Sequence, residues 1–188
     1  TKANAPKNVV LHADRLDLPL RWKKPRMIFV NSMSDLFHEE IPIDVIQSVF
    51  DVMERASQHI FQVLTKRAWR MCNVVPHLRQ IGGLKLMDRP LPNVWLGVSA
   101  EDQQRFDDRW KCLRHTPAAV RFVSLEPLLG PINLGPAFAH SVHCHLGHNL
   151  GDAPCRCPRL HWVIVGGESG GSPERALVEP TDRTYVDA

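Results

Sequence analysis

Lys66, Glu126 and Glu168 each stand at the end of a short apolar run, where an ionisable side chain can move a proton or hold a charged ligand. They are the catalytic candidates of this chain. In Thr65-Lys66-Arg67 two cations flank the start of a helical stretch, whose free N–H groups also favour anions, so the trio suits a carboxylate or a phosphate. The alternative is a salt bridge from these cations to Glu126 or Glu168 across the same rim. Glu126 closes the apolar run Val120–Leu125 just before Pro127. Burial there would raise its pKa unless a cation such as Lys66 paired with it.

Around these three lie candidate ligand-binding residues. Asn31, Ser32, Ser34 and Asp35 follow an apolar run and offer hydrogen bonds to a polar ligand, or equally close an Asx/Ser turn onto their own backbone. Ser99 ends another such run. Gly166-Gly167-Glu168-Ser169-Gly170 lets a ligand approach the backbone closely, with Glu168 as acceptor, although its glycine spacing is not a dinucleotide fingerprint. Glu101 and Asp102 look catalytic by position, but Ser99-Ala-Glu-Asp102 reads as a capping box, a structural explanation of Asp102.

A separate cluster could hold a metal. His143, Cys144, His145, His148, Cys155 and Cys157 crowd six soft or borderline ligands into one loop. Zinc takes four N/S ligands in a tetrahedron, and a loop with no core of its own gains order from it. Cys-x-Cys is tighter than the usual finger spacing, so unligated loop residues and an iron–sulfur role stay open beside zinc.

Elements must place these groups. Five apolar segments, beginning at 26, 59, 93, 120 and 161, are rich in Val, Ile and aromatics and bounded by Pro, Asn or Gly, as buried strands are. Their spacing leaves room for a crossover helix between neighbours, which makes the strands parallel. Ile46, Val49, Phe50 and Met53 predict a helix over about 42–56, with Pro42 in its first turn. Arg67 to Val74 predicts a second helix, with Trp69 and Cys72 inward and Pro76 ending it. Phe106, Trp110 and Leu113 mark a third. Because polar residues end every strand, the expected fold is α/β, a partial or truncated (β/α) TIM-like barrel with its site at one rim. Residues 1–25 form a leading segment, and 26–188 a single barrel-like domain with the Cys/His-rich loop inserted at about 132–160.

The composition sets wide bounds. The chain has 188 residues, 44% of them hydrophobic and 23% charged, as in a single soluble globular domain. A net charge of +3 is too balanced to argue for nucleic acid, and Arg21-Trp-Lys-Lys-Pro-Arg26 reads as a solvated approach to the first strand. No apolar run approaches the ~20 residues that span a bilayer, so no membrane partner is expected. Five cysteines, three of them in one loop, fit a reducing compartment better than a disulfide framework, and the expected location is cytoplasmic.

Five blocks, Phe29–His38, Phe61–Arg67, Pro92–Ser99, Arg121–Pro131 and Trp162–Gly170, occur in order and together resemble an uncharacterised family found in bacteriophages and bacterial genomes. Members of that family look like radical-SAM barrel proteins. The resemblance, over roughly 20–170, implies a barrel enzyme of unknown substrate that uses S-adenosylmethionine and a [4Fe–4S] cluster. It implies cluster cysteines upstream of the first block, yet the first cysteine here is Cys72, in a helical stretch. The second functional reading is a non-catalytic, phage-derived binding module for a small molecule or nucleic acid, working through Lys66, Arg67 and the basic leading segment.

Overall fold

The computed structural model describes residues 11–138 and 158–167. In chain order the helices are α1 (Ala13–Leu16), α2 (Leu18–Arg21), α3 (Ile43–Arg55), α4 (Ala68–Val74), α5 (Gln103–His115) and α6 (Gly135–Phe138). The strands are β1 (Met27–Val30), β2 (Ile60–Thr65), β3 (Val94–Ser99), β4 (Val120–Leu125) and β5 (Trp162–Val165). They form one sheet in the order β1-β2-β3-β4-β5, every neighbouring pair parallel. The expected parallel strands are therefore present, in sequence order. Closure into a barrel is not seen among the described residues, where β1 and β5 are the two edges.

Alternation along each strand divides the sheet into two unlike faces. Phe61 and Val63, Val94, Leu96 and Val98, and Val123 and Leu125 join one buried cluster with Ile46, Phe50 and Met53 of α3, Met71 of α4 and Phe106, Trp110 and Leu113 of α5. All three crossover helices thus cover the same face. Sequential strand order with helices on one side is what (β/α) units give when each crossover turns the same way.

The opposite face carries Met27 and Phe29, Gln62, Trp95, Phe122 and Trp162, related by register across the strands. Phe122 is fully buried yet lies outside the helix-side cluster, because its ring covers Gly97 of the next strand. Trp162 meets Trp95 edge-on at 5.7 Å and Phe122 at 5.8 Å between ring centroids. Met27, Phe29 and Trp162 stay substantially exposed on this face.

Several local expectations change. Pro42 caps α3 instead of entering its first turn. In α4 the inward positions are Ala68, Met71 and Val74, and Trp69 is 74% exposed. That follows from helical spacing, since 68, 71 and 74–75 share a stripe that excludes 69. The N-cap of α5 is Asp102, whose carboxylate accepts the Arg105 N–H at 2.9 Å. Ser99 cannot serve as that cap because it is still paired in β3 with Ser124. The leading segment contains the two one-turn helices α1 and α2, pinned to the sheet by His59, whose Nε2 lies 3.0 Å from the Pro19 carbonyl. No helix among the described residues is long and apolar enough to cross a membrane.

Candidate functional site at the C-terminal rim

Parallel strands end together, so the residues following them share one rim. Asn31 follows β1, Lys66 follows β2, Ser99 ends β3, Glu126 follows β4 and Gly166 follows β5. Strand alternation sends Thr65 toward the helix layer and Lys66 toward the open face.

On the helix side, Asp35 organises the first two loops. Its carboxylate accepts the Thr65 hydroxyl at 2.7 and 2.9 Å, the Phe37 N–H at 2.9 Å and Arg67 Nη1 at 3.0 Å. The Lys66 N–H adds a longer contact at 3.3 Å. Thr65 in turn accepts the Arg67 N–H at 2.9 Å, and Arg67 Nε reaches Glu39 at 3.1 Å. The Asp35 and Glu39 side chains hold the Arg67 guanidinium charged, although burial opposes it. The sequence offers Asp35, Thr65 and Arg67 as ligand contacts. Here they satisfy one another and tie the β1 loop to the end of β2.

Glu101 is the centre of the second cluster. Its side chain is 12% exposed, accepts from Lys66 Nζ and receives Arg109 Nη1 at 3.1 Å, with Arg105 Nε at 3.9 Å. Burial alone would push this carboxyl up. The Lys66 hydrogen bond and the charges of Arg109 and Lys66 outweigh it and hold the group below the usual carboxylate range. Arg109 also donates to the Ser99 carbonyl at 2.6 Å, and the Glu101 carbonyl accepts Leu129 N–H at 2.9 Å, which folds the β4 loop over the site. Lys66 therefore pairs with Glu101, and not with Glu126 as the salt-bridge reading had it. Its side chain keeps 55% exposure, so the ammonium still faces solvent.

Glu126 is exposed, contrary to the burial expected for it. The Ser124 hydroxyl donates to its Oε2 at 2.8 Å, and its side chain lies against Gly166, where a Cβ would collide with Oε1. The Glu126–Pro127 peptide is cis. Asn31 takes a positive φ of 55° and begins a turn in which the Ser34 N–H donates to its carbonyl at 3.0 Å. Asn31, Ser32 and Gly167 are exposed, and Ser99 is buried.

The sequence marks Glu101 by its position, but not its partner Arg109. The available signal was charge spacing, because Arg105 and Arg109 follow Glu101 at one and two helical turns. Glu168 and Ser169 lie outside the described residues, as do His143, Cys144, His145, His148, Cys155 and Cys157. Among the described residues no group of three or more His, Cys, Asp or Glu side chains is placed to hold a metal ion. The two described cysteines, Cys72 and Cys112, sit in the helix layer on α4 and α5. A separate open depression of about 420 Å³ lies at the other end of the open face, lined by Met27, Trp95, Val120, His161 and Trp162.

No curated protein and no solved structure matches the chain. A family model does, across residues 1–181, and so reaches past Gly170, where the five-block resemblance stopped. The chain belongs to the family described as "Protein of unknown function (DUF5131)".

Proposed function

We propose that this chain is part of a (β/α) barrel enzyme of the radical-SAM type, of phage-associated origin, and that its rim binds the amino-acid end of S-adenosylmethionine. The observation that carries this reading is the pairing of opposite, solvent-facing charges on the open side of the rim. Lys66 presents an ammonium steadied by Glu101, and Glu126 presents a carboxylate steadied by Ser124. Their strands are separated by β3 alone, so their backbones stand about 10 Å apart, two strand spacings. Long side chains from such positions can converge on an α-ammonium and an α-carboxylate. Gly166 leaves Glu126 its place, and Asn31 and Ser32 add exposed polar groups beside it.

When bound, S-adenosylmethionine would supply the reactive sulfonium; the residues here orient its charged end. A [4Fe–4S] cluster is not fitted by the described residues, since Cys72 and Cys112 lie in the helix layer and not at the rim. No radical step is assigned to this chain's side chains. The nucleic-acid reading draws less support, because Arg67, the second cation it relies on, is engaged by Asp35 and Glu39.

Calorimetric titration with S-adenosylmethionine, methionine and 5′-methylthioadenosine tests the reading. A methionine end held by two charged contacts at about 1.5–3 kcal/mol each makes 5′-methylthioadenosine bind at least ~100-fold more weakly than S-adenosylmethionine. Equal affinity for the two, or no binding of either, refutes it.

A further inference from the structure

The depression at the far end of the open face has a chemistry unlike that of the rim. Trp95 and Trp162 line it with Met27, Val120 and His161, and its volume of about 420 Å³ is that of a small-molecule site. The two tryptophans stand four residues before Ser99 and Gly166, which puts them about 13 Å from the rim. Their rings meet edge-on, with 84° between planes, and Trp162 stays 38% exposed, so a planar ring laid on one meets the other at its edge. The polar groups here are donors. His161 Nδ1 accepts the Arg121 N–H at 3.0 Å, which leaves the ring proton on Nε2. Burial and the charges of Arg121 and Arg159 hold this imidazole below its ordinary value, so at neutral pH it carries that single N–H. Gln62 lies in register beside Trp95 on the same face and is 6% exposed, and its Nε2 has no hydrogen-bond partner among the described residues. The lining contains no carboxylate.

We infer that this depression is a second binding site, which takes the planar base of a 6-oxopurine nucleoside. The base stacks on the Trp95–Trp162 pair, and its acceptors, O6 and N7 on one edge and N3 on the other, meet donors that stand on opposite sides of that pair. Gln62 is on β2 and His161 directly precedes β5. An acceptor that enters past Trp95 also pairs the Gln62 amide, which is otherwise buried without a partner. Adenine differs at the edge that decides. Where guanine has the O6 acceptor, adenine has an amine, which sets a donor against a donor with no carboxylate in the lining to receive it. The site therefore stands apart from the rim reading, because the base of S-adenosylmethionine is the one it rejects.

Equilibrium dialysis of the full chain against guanosine, inosine and adenosine tests the inference. Guanosine and inosine should bind saturably and alike, since both carry O6, N7 and N3, and adenosine should bind at least ~5-fold more weakly. Trp162→Ala removes one stacking surface and should weaken guanosine roughly 5- to 150-fold. Gln62→Leu removes one neutral donor and should weaken it roughly 2- to 10-fold without lowering Tm, a readout that separates lost contact from lost fold. A short DNA strand with one guanine among adenines separates the two sources of the base: tighter binding than guanosine assigns it to single-stranded DNA, and weaker binding to a free nucleoside. Adenosine bound as tightly as guanosine, no binding of any nucleoside, or guanosine affinity unchanged in both variants overturns the inference. So does displacement of guanosine by excess S-adenosylmethionine, which would put the nucleoside at the rim.

Discussion

Replacing Glu101 with Gln keeps the shape of the side chain and removes the charge that the second rim cluster is built around. Three cations surround that carboxylate, and they are not equally committed to it. Arg109 is 18% exposed and otherwise donates to the Ser99 carbonyl, so it loses a buried partner. Lys66 is 55% exposed and recovers hydration, and Arg105 is 54% exposed and retains Asp102. Breaking a fully buried pair costs about 3–5 kcal/mol and an exposed one about 0–1 kcal/mol. With one buried and two exposed partners, the expected loss is about 2 kcal/mol, which for a chain of this size lowers Tm by roughly 4–8 °C. The pH dependence carries the sign. Because the folded-state pKa of Glu101 is depressed, its contribution is present above the unfolded carboxylate value and disappears as pH falls through the folded value. Thermal unfolding followed by circular dichroism from pH 7 down to pH 3.5 should therefore show the wild-type and E101Q curves converging on the acid side. Identical Tm values at pH 7, or a gap that persists unchanged in acid, would refute this account of the cluster.

Two further substitutions probe the open face. Gly97→Ala places a Cβ 2.6 Å from three ring atoms of Phe122, so it should destabilise by about 1–3 kcal/mol in chemical denaturation, with much of the loss recovered in the double variant G97A/F122L. Gln62→Leu removes a side-chain nitrogen, Nε2, that is buried without a hydrogen-bond partner. That change should leave stability unchanged or raise it by up to about 1–2 kcal/mol, and a clear loss would mean the amide is partnered in solution.

The sheet was legible in the sequence because parallel strands covered by helices read as short continuous apolar runs, and the five segments sit within a few residues of β1 to β5. Helices α3 and α5 were legible for the same kind of reason, from the stripes ending at Met53 and Leu113. The face of α4 was misread, since Trp69 is a large apolar side chain that tertiary packing leaves outside. The rim was legible as a location, because any residue that ends a parallel strand must lie there. Its internal pairing was not. Whether Lys66 finds Glu101 or Glu126 depends on how the β3–α5 loop turns, and the capping-box reading placed that turn three residues early, at Ser99 in place of Asp102. Asp35 shows the same gap, since its partners Thr65 and Arg67 are some thirty positions away and only strand register brings them to it.

The central claim is that Lys66 and Glu126 together hold a ligand bearing both charges, and paired affinity measurements on two variants address it directly. Calorimetry with S-adenosylmethionine on the wild type, Lys66→Met and Glu126→Gln should show a single saturable site in the wild type. Each variant should bind roughly 10- to 150-fold more weakly, the cost of one charged hydrogen bond, while E126Q keeps the wild-type Tm because Glu126 is exposed. Unchanged affinity in either variant, with the protein folded, would contradict the account.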